Sequence, residues 1–456
     1  MNAQITISIQ TRMRNGMPAI SVSIPDLDGI EQIDLDFDAL DARLNRPAPV
    51  ALDFLLIASA VYVLDKCIER RRFDDFWTRD LHVTVPVSDP RKWQGVHTEL
   101  AETLDFLTGD EWSFDFAQME DIDLAVNDRR NPVPSTDRVS AVSLFSGGVD
   151  SLIGVVNHLS QTPGDVVLVG HRDASSTGGD QRRLFEAISA EKLFEGRVIR
   201  RGARIRPLPL SQALPGQEVR PLRREHTLRS RSLVFIAMGV YAAQQAGANT
   251  PLLIPENGFI ALNIPLTPSR IGTCSTRTTH PFFLERIRSV LDKVGLNQTV
   301  VNPLVNLTKG EAIAHAEGGE EVQNLLLQTV SCAHPSRRAP WIRRSSRNCG
   351  YCVPCLVRRA SFHYVGVDNG EDYGLDALRG ELPIDGTIAS DLRAVLDCLA
   401  QVRHRSEVQE RVMSTGSLVV PELEMFTDLI GRGLGEIRSL VRDKASAAIR
   451  SNAGMR

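Results

Sequence analysis

The feature that most constrains this chain is the hexapeptide Ser-Gly-Gly-Val-Asp-Ser at residues 146–151. It lies between an apolar run at residues 139–145 and an apolar-periodic stretch at residues 152–159. This order predicts a buried strand, a tight turn and the start of a helix. Two adjacent glycines let the backbone approach a ligand closely, and the amide groups at a helix start attract anions. The hexapeptide therefore predicts a phosphate-binding turn.

The side chains of this turn suit a nucleoside triphosphate. The hydroxyls of Ser146 and Ser151 can donate to phosphate oxygens, and Asp150 can cap the helix or help to hold Mg²⁺. We predict an ATP site at Ser146, Gly147, Gly148, Asp150 and Ser151, with Asp150 and Ser151 as catalytic residues. The lysine of the usual GxxxxGK[ST] loop is absent, which excludes an ordinary P-loop. The structural alternative is a glycine-rich connection with a Ser or Asp cap.

The residues after the turn repeat a strand-then-helix rhythm. Strands are predicted at residues 166–169, 197–200, 251–255 and 300–301, and helices at residues 180–194, 225–245 and 308–316. Such alternation favours an α/β fold with a parallel sheet and helices on both faces. A ligand of such a sheet lies beyond the carboxyl ends of the strands, which adds Gly170 and His171 to the predicted ATP site. His171 can equally be a solvated loop histidine.

Two further segments are candidates for substrate binding. Arginine is dense between residues 197 and 231, and guanidinium groups bind carboxylate or phosphate in a bidentate way. We choose Arg231 as a catalytic clamp because it lies near the start of a predicted helix and not in the loop, whereas the other arginines can be solvated or locally paired. The long loop after residue 255 suits the reading of a purine-like ring, or it is an ordinary surface loop. Its predicted substrate-binding residues are Glu256, Asn257, Thr276 and His280.

A cysteine cluster gives the second strong signal. Cys332 is followed by three cysteines at a Cys-x2-Cys-x2-Cys spacing, namely Cys349, Cys352 and Cys355. Four thiolates close a tetrahedral shell with no open position, which predicts a structural zinc site. An iron–sulfur cluster competes with zinc because ferredoxins use similar spacings, and free buried cysteines are a third interpretation. Arginines around Trp341 suit an anionic or macromolecular partner, or a solvated loop.

Composition narrows the class of protein. The 456 residues are 42% hydrophobic and 24% charged, as expected for a soluble globular protein of two or three domains. A net charge of −4 creates no global attraction to nucleic acid or membrane. No apolar run is long enough to span a bilayer, and the first residues lack the order of a signal peptide. We therefore expect a cytoplasmic protein.

Four regions are predicted along the chain. Residues 1–135 alternate strands with helices, which indicates a separate α+β accessory domain that is closed by a polar linker at residues 127–137. Its role is open between partner docking, substrate presentation and support of the fold. The other predicted regions are a nucleotide-binding α/β domain at 139–331, a zinc-binding four-cysteine segment at 332–365 and a helical C-terminal extension at 366–456.

The glycine turn and the cysteine run together resemble the QueC family, the 7-cyano-7-deazaguanine synthases, which are PP-loop ATP pyrophosphatases. That family also carries a cysteine, a spacer, Cys-Gly-x-Cys-x-x-Cys and arginine, which is matched here up to Arg358 and Arg359. Arg231 matches the family's helix-opening Arg-Asn pair, whereas Ser232 departs from it. Residues 302–311 are similar to the family's Pro-Leu…Lys-x-Glu helix entry. The resemblance covers about residues 139–365.

The resemblance implies an adenylation reaction. Family members bind ATP at the glycine turn, and the carboxylate of 7-carboxy-7-deazaguanine attacks the α-phosphate and expels pyrophosphate. An amine then displaces AMP to give an amide. In the nitrile-forming enzymes the amine is ammonia, and a second ATP dehydrates the amide. The implied cofactors are ATP, Mg²⁺ and a structural Zn²⁺, and the implied substrate is a deazaguanine.

Several features depart from a typical family member. This chain is about twice as long, its cysteine insert is enlarged, and residues 256–258 differ from the usual substrate loop. These features resemble the QueC-like proteins of bacterial anti-phage clusters, in particular the QatC component of the Qat system. In that group the acceptor amine can belong to a protein, which the extra regions would recognise. We therefore expect a deazaguanine-activating amide ligase with a protein acceptor, without a membrane or a nucleic acid as direct partner.

Three other functions stay open. A 7-cyano-7-deazaguanine (preQ0) synthase would use ammonia and supply tRNA or DNA modification. A tRNA-thiolating PP-loop enzyme would need a reactive cysteine near the turn, for which Cys274 is the candidate, and the absence of a basic overall charge counts against it. A nucleotide-binding regulatory subunit would hold ATP without catalysis.

Overall fold

The computed structural model describes most of the chain. It describes the backbone of residues 5–14, 17–24 and 29–36, and it describes residues 47–119, 138–172, 175–207, 225, 229–268, 277–333, 344, 346–382 and 384–455. For residues 175–177, 206–207 and 387 it describes the backbone only. Within these ranges none of the helices is both long and apolar enough to cross a membrane.

Ten β-strands and fifteen α-helices lie within the described ranges. The strands are β1 (Ile5–Arg14), β2 (Met17–Ile24), β3 (Gly29–Asp36), β4 (Asp80–Val87), β5 (Glu111–Gln118), β6 (Val139–Leu144), β7 (Asp165–His171), β8 (Val198–Pro207), β9 (Leu252–Leu253) and β10 (Val300–Val301). The helices are α1 (Pro49–Cys67), α2 (Pro90–Gln94), α3 (His97–Thr108), α4 (Val149–Gln161), α5 (Ser175–Ala190), α6 (Arg231–Ala246), α7 (Gly258–Leu262), α8 (Pro281–Val294), α9 (Lys309–Ala314), α10 (Gly319–Gln328), α11 (Val353–Tyr364), α12 (Ser390–Gln401), α13 (Arg405–Met413), α14 (Val420–Lys444) and α15 (Ala447–Asn452).

The strands form one sheet in the order β10-β9-β6-β7-β8-β3-β2-β1-β4-β5. The first five strands of this order are parallel to one another, which confirms the predicted parallel sheet. Strand β3 pairs with β8 in the antiparallel direction, and Leu35 lies opposite Ile205 in this pair. The N-terminal strands therefore extend the parallel sheet beyond β8.

Helices cover both faces of the parallel strands. In β7 every residue is buried, as expected for a strand between two layers of helices. Val167 and Val169 join one apolar core with α1, α6 and α8, whereas Val166 and Leu168 join a second core with α4 and α5. The carboxyl ends of β6, β7 and β9 consequently lie at one edge, between the two helical layers.

A third apolar core belongs to the C-terminal half of the chain. It combines α7, the cysteine run, α11, α12 and the long helix α14. Helix α14 approaches α7 closely, because a Cβ atom added at Gly433 would lie 2.3 Å from Cδ2 of Phe259. The expected helical C-terminal region is thus confirmed, and it packs against the loop that follows β9.

The structure differs from the sequence-based expectation at several element ends. The helix expected from residue 225 begins at Arg231, because Ser230 is held by Asp65 of α1 through its amide and its hydroxyl. Helices α8 and α11 were not predicted, although each has a proline in its first turn, a common helix-start signal. The linker at residues 127–137 lies outside the described residues. The division of the chain into four domains stays a prediction, and the shared sheet and the shared core of α1 and α6 join its first two regions.

Candidate functional site

The glycine turn connects β6 to α4, and Gly148 is the residue that precedes the helix. Gly147 has a φ of +85°, a conformation that strongly favours glycine. Its carbonyl accepts a hydrogen bond from the Val330 amide at 3.0 Å. Within the turn, Ser146 Oγ accepts from the Gly148 amide at 3.3 Å, and Ser151 Oγ donates to the Gly148 carbonyl at 2.9 Å. The predicted strand, turn and helix are therefore present in that order.

Asp150 is buried in the first turn of α4 and connects three distant segments. Its Oδ2 atom accepts from Lys309 Nζ at 2.6 Å and from Asn257 Nδ2 at 2.9 Å. Its Oδ1 atom is buried and has no hydrogen-bond partner among the described residues. A buried carboxylate oxygen without a donor is costly, and a bound cation would satisfy it. The Asp150 carboxylate therefore fits a role as a ligand of Mg²⁺.

Lys309 is placed by a capped helix start. Thr308 and Glu311 form a capping box at α9, in which the Thr308 amide donates to Glu311 Oε2 at 2.9 Å and the Glu311 amide donates to Thr308 Oγ1 at 3.1 Å. Glu436 of α14 accepts from the Gly310 amide at 3.2 Å and from the Thr308 hydroxyl. Burial raises the pKa of Glu436 to about 7. The C-terminal helix thus supports the segment that carries the site lysine.

A cleft of about 300 Å³ opens at the turn. Besides turn residues, its lining includes two cationic side chains, Lys309 and Arg231, and two acidic side chains, Asp180 and Glu256. The cations suit the negative charge of a polyphosphate, whereas the carboxylates need a metal ion beside that same ligand. Cys332 and Pro354 lie on the wall of the cleft, so the cysteine cluster adjoins it.

A second cavity of about 330 Å³ adjoins the first. The two cavities share five lining residues, among them Ser146, Arg231 and Glu256. The rest of the second lining is apolar or carries hydroxyl groups, namely Leu144, Ser151, Ser232, Phe235, Ile236, Ile254, Thr278 and Thr279. An apolar pocket with a few convergent polar groups suits a flat heterocycle. A ligand in each cavity would meet the other beside Arg231 and Glu256.

Glu256 lies at the junction of the two cavities. Its Oε2 atom accepts from Thr279 Oγ1 at 2.7 Å, and the Asn302 side chain bonds to both its amide and its carbonyl. Loss of solvent, followed by the nearby Asp150 charge, raises the pKa of Glu256. A carboxyl group held in this way accepts hydrogen bonds from N–H groups of a ligand.

The remaining predicted site residues occupy other positions. His171 is fully buried, its Nε2 atom lies 3.3 Å from the Ile205 carbonyl, and its ring meets Tyr62 edge to face, so it is not a solvated loop residue. Gly170 lines a small crevice of about 50 Å³ apart from the two larger cavities. The roles assigned to both residues in ATP binding stay predictions.

His280 is buried at the start of α8, away from the lining of both cavities. Its Nδ1 atom accepts from the Phe282 amide at 3.3 Å, and its Nε2 atom lies 3.1 Å from Thr415 Oγ1. Burial, aided by the nearby Arg277 charge, lowers the pKa of His280 to about 4. The geometry favours a structural role, while its neighbours Thr278 and Thr279 line the second cavity. Thr276 lies outside the described residues.

The four predicted metal ligands lie together. One sulfur atom from each of Cys332, Cys349, Cys352 and Cys355 falls within 4.8 Å of all the others. The Cys349 and Cys355 sulfurs are 3.7 Å apart, and a tetrahedral ion with Zn–S bonds of about 2.3 Å would hold sulfurs about 3.8 Å apart. The amides of Tyr351 and Cys352 point to Cys349 Sγ at 3.4 and 3.3 Å, an arrangement that stabilises a metal-bound thiolate.

This geometry fits a single closed-shell ion. Burial and the neighbouring thiols raise the pKa of Cys355 well above its ordinary value, so four thiolates would need a cation between them. Several iron atoms would hold the sulfurs farther apart than one ion does, which favours zinc over an iron–sulfur cluster. A structural zinc would join the cleft wall at Cys332 to α11.

Sequence reasoning missed the partners of the glycine turn. Lys309 was noted only as part of a lysine-x-glutamate helix entry, although its place after a Thr308 cap signals a helix start that points into a site. Asn257 was predicted to bind substrate, and the structure places its side chain on Asp150. Thr278 and Thr279 belong to the loop that was predicted to read the ring, although Thr276 and His280 were chosen from it, and Ser232 was noted only as a departure from the family's Arg-Asn pair. Asp180 carried no distinctive local signal.

Comparison with known proteins gives two distant relatives. The chain is 28% identical over 257 residues to a 7-cyano-7-deazaguanine synthase of Novosphingobium aromaticivorans, a match that spans 53% of this chain and 97% of the relative. It is 25% identical over 253 residues to a 7-cyano-7-deazaguanine synthase of Methanothermobacter thermautotrophicus, spanning 51% of this chain and 98% of the relative. No protein-family model matches the chain, and no solved structure matches it. The similarity is distant and covers about half of the chain.

Proposed function

We propose that this protein uses ATP to activate the carboxylate of a 7-deazaguanine, 7-carboxy-7-deazaguanine, and then joins it to an amine. The observation that carries the proposal is the pair of adjoining cavities that share Arg231 and Glu256. One contains the phosphate-binding turn, and the other suits a flat heterocycle. The distant similarity to two 7-cyano-7-deazaguanine synthases supports a deazaguanine as the ligand of the second cavity.

In the first step a carboxylate oxygen of the substrate attacks the α-phosphorus of ATP. The bond from that phosphorus to the bridging oxygen breaks, and pyrophosphate leaves with the electron pair. Amides of the turn, the Ser146 hydroxyl and Lys309 would hold the departing group, while Arg231 would neutralise charge where the two ligands meet. Ser151, whose hydroxyl donates to the Gly148 carbonyl, lines the second cavity instead. Asp150 would hold Mg²⁺, which supplies further stabilisation of the leaving charge when bound.

In the second step the amine attacks the acyl carbon of the mixed anhydride. A C–N bond forms, the C–O bond to AMP breaks, and the amine loses one proton. A free carboxylate is a poor acyl donor, which is the chemical reason for the ATP-dependent first step. The Glu256 carboxyl group would accept hydrogen bonds from ring N–H groups of the heterocycle, and Thr279 would hold this carboxyl group in place.

We further propose that the amine belongs to a partner protein and that the setting is anti-phage defence. The relatives match only 53% and 51% of this chain, although nearly the whole of each relative is matched. The remaining half of the chain offers surface that free ammonia would not require. The resemblance to the QatC-like group supports the same acceptor.

A 7-cyano-7-deazaguanine synthase activity is the second candidate. The names of both relatives favour it. In that reaction ammonia would take the place of the protein amine, and a second ATP would dehydrate the amide.

Intact-mass spectrometry separates these candidates. The purified protein and the products of its neighbouring genes are incubated with ATP, Mg²⁺ and 7-carboxy-7-deazaguanine, with the Asp150→Ala variant as the inactive control. We expect pyrophosphate release that requires 7-carboxy-7-deazaguanine, together with a covalent mass gain on a partner protein. Nitrile formation with ammonia and no protein adduct would favour the second candidate. If 7-carboxy-7-deazaguanine causes no pyrophosphate release, both candidate activities are contradicted, and a regulatory nucleotide-binding subunit is favoured.

A further inference from the structure

The N-terminal region reaches the second cavity at one corner. Helix α3 ends at Thr108, Gly109 turns the chain with a φ of +72°, and β5 begins at Glu111. We call residues 106–110 the α3–β5 corner. Neither step of the proposed reaction uses this corner, yet two of the chain segments that line the second cavity are held on it, and we call them the first and the second wall.

The first wall is the segment that precedes α8. Arg277 Nη1 donates to the Phe106 carbonyl at 2.5 Å, and its guanidinium carbon lies 4.3 Å from the centre of the Phe106 ring. The rings of His280 and Phe282 meet the same ring edge to face, with centroids 5.2 and 4.8 Å away. Phe106 therefore contacts both ends of a short segment.

The residues between these contacts face the second cavity. Thr278 and Thr279 line it, and Thr279 donates to Glu256 at the junction with the ATP cleft. A shift of the segment would move the hydroxyls and, through Thr279, the Glu256 carboxyl group. Phe106 itself lies outside the lining of the cavity.

The second wall is the segment that precedes α6. Arg229 Nη1 donates to the Thr108 carbonyl at 2.6 Å, and its guanidinium lies over the Trp77 ring at 4.6 Å. The amide and the hydroxyl of Ser230 both donate to Asp65 Oδ2, at 3.2 and 2.7 Å. The next residue is Arg231, which lines both cavities.

A buried ionic network makes the corner stiff. Arg79 is fully buried and donates to Asp65 Oδ1 at 2.7 Å and to Asp110 Oδ2 at 2.5 Å. Arg70 also donates to Asp110, at 2.7 and 2.8 Å. Separation of the partners in such a network would leave uncompensated buried charges, so a rearrangement of the corner is costly. Asp65, which holds Ser230, belongs to this network.

We propose that the α3–β5 corner positions these two wall segments of the second cavity, and that Phe106 thereby sets the affinity of the cavity for its acyl substrate. The identity of that substrate rests on the proposed function. The ATP cleft is supported from a different direction, since Glu436 of α14 holds the helix start that carries Lys309. The affinity for the acyl substrate should therefore respond more strongly than the affinity for ATP to changes at the corner.

The test compares Phe106→Ala and Phe106→Leu with a control on the same helix. Glu99→Gln removes the ion pair between Glu99 and Lys293, which joins the start of α3 to the end of α8, away from Phe106 and Phe282. We expect Phe106→Ala to raise the KM for 7-carboxy-7-deazaguanine about 10- to 100-fold, with a smaller rise for Phe106→Leu. The KM for ATP should change much less than this in the Phe106 variants, because Arg231 and Glu256 are shared by the two cavities, and it should stay unchanged in the control. Equal changes in both KM values, or no change in either, would overturn the proposal.

Amide hydrogen exchange separates failure of this proposal from failure of the proposed function. Phe106→Ala should exchange faster at residues 277–283 than the wild-type protein, while its residues 147–152 keep wild-type protection. The Glu99→Gln protein should keep wild-type protection in both segments. If the wild-type protein does not adenylate the acid, the proposed function fails and this exchange pattern still decides the positioning role. Unchanged exchange at residues 277–283 in Phe106→Ala would refute it.

Discussion

At the scale of single residues, Asp150 is the residue that connects the separate chain segments of the candidate site. Its carboxylate joins the glycine turn to Asn257 and to Lys309, which is 159 residues away in sequence. Taking a lysine and a carboxylate out of water costs free energy that their attraction alone does not reliably recover. A polyphosphate and its metal ion would use both charges, which gives the pair a chemical purpose.

The Lys309→Met substitution should therefore lower the rate of pyrophosphate release much more than it lowers the free energy of unfolding. We expect pyrophosphate release to fall about 100- to 1,000-fold, the loss typical of one electrostatic stabiliser of a transition state. Lys293→Met is the matched control, because Lys293 is an exposed lysine that pairs with Glu99 and lines neither cavity. Full activity in Lys309→Met, or an equal loss in both variants, would contradict the assignment.

The protonation of His280 gives a second prediction at this scale. Its pKa is lowered to about 4 by burial and by Arg277, so the unfolded chain binds a proton at a pH where the folded protein does not. The stability that this histidine contributes is fully present above a pH of about 6.5 and is lost as the pH falls towards 4. Melting temperatures between pH 7 and 4.5 should therefore fall less steeply in His280→Asn, in which the amide can still cap α8.

The exposed His315 is the control for this titration. The His315→Asn protein should follow the wild-type pH dependence. A wild-type slope in the His280→Asn protein as well would show that the buried imidazole does not contribute.

At the scale of elements, α14 supports the site from the C-terminal side. It packs on α7 through Gly433 and on α9 through Glu436. Three glycines lie at alternate positions of this helix, but only Gly433 faces a close neighbour. A Cβ atom there would lie 2.3 Å from Phe259, whereas Cβ atoms at Gly431 and Gly435 would meet no atom within 4 Å.

Alanine substitutions at the glycines of α14 should therefore change the free energy of unfolding in opposite directions. Gly433→Ala should destabilise the protein by about 1–3 kcal/mol, because overpacking must move Phe259 or the helix. Gly431→Ala and Gly435→Ala should stabilise it by up to about 1 kcal/mol, since alanine is the better helix former. Urea unfolding of the three variants measures this difference, and the same sign at all three positions would contradict the close contact.

At the scale of the whole molecule, the cysteine cluster lies between the C-terminal core and the cleft at the glycine turn. Cys349, Cys352 and Cys355 are buried in the core that contains α12 and α14, while Cys332 lines the cleft. Closure of one ion by ligands from two segments would fix the cleft wall to that core. Zinc should therefore matter for the fold of the C-terminal half.

Metal analysis of the purified protein should find one zinc ion per chain and no iron. Cys349→Ser should lose the ion and melt at a lower temperature, because the binding free energy of a structural zinc contributes to folding. Cys398→Ala is the control, since Cys398 lies in the same core outside the cluster and its loss should leave the zinc content unchanged. Iron–sulfur absorption in the pure protein would refute the zinc assignment.

The local sequence by itself determined the glycine turn, the parallel sheet that follows it and the cysteine ligand set. Each depends on residues close together in the chain: a positive φ favours glycine at 147, buried strands are continuous apolar runs, and a closed metal shell needs thiolates at a short spacing. These signals also predicted several of the helices but missed α8 and α11, and they misplaced helix ends where a tertiary contact, such as that of Ser230 with Asp65, set the first residue.

Only the tertiary structure decided which residues complete the site. Asp150 meets Asn257 across 107 positions, Arg277 meets Phe106 across 171, and Thr308 meets Glu436 across 128. No hydrophobic period or motif carries information about pairs so far apart, because such contacts form only when separate layers pack. For the same reason, the α3–β5 corner beside the second cavity and the support of Lys309 by α14 emerged from packing alone.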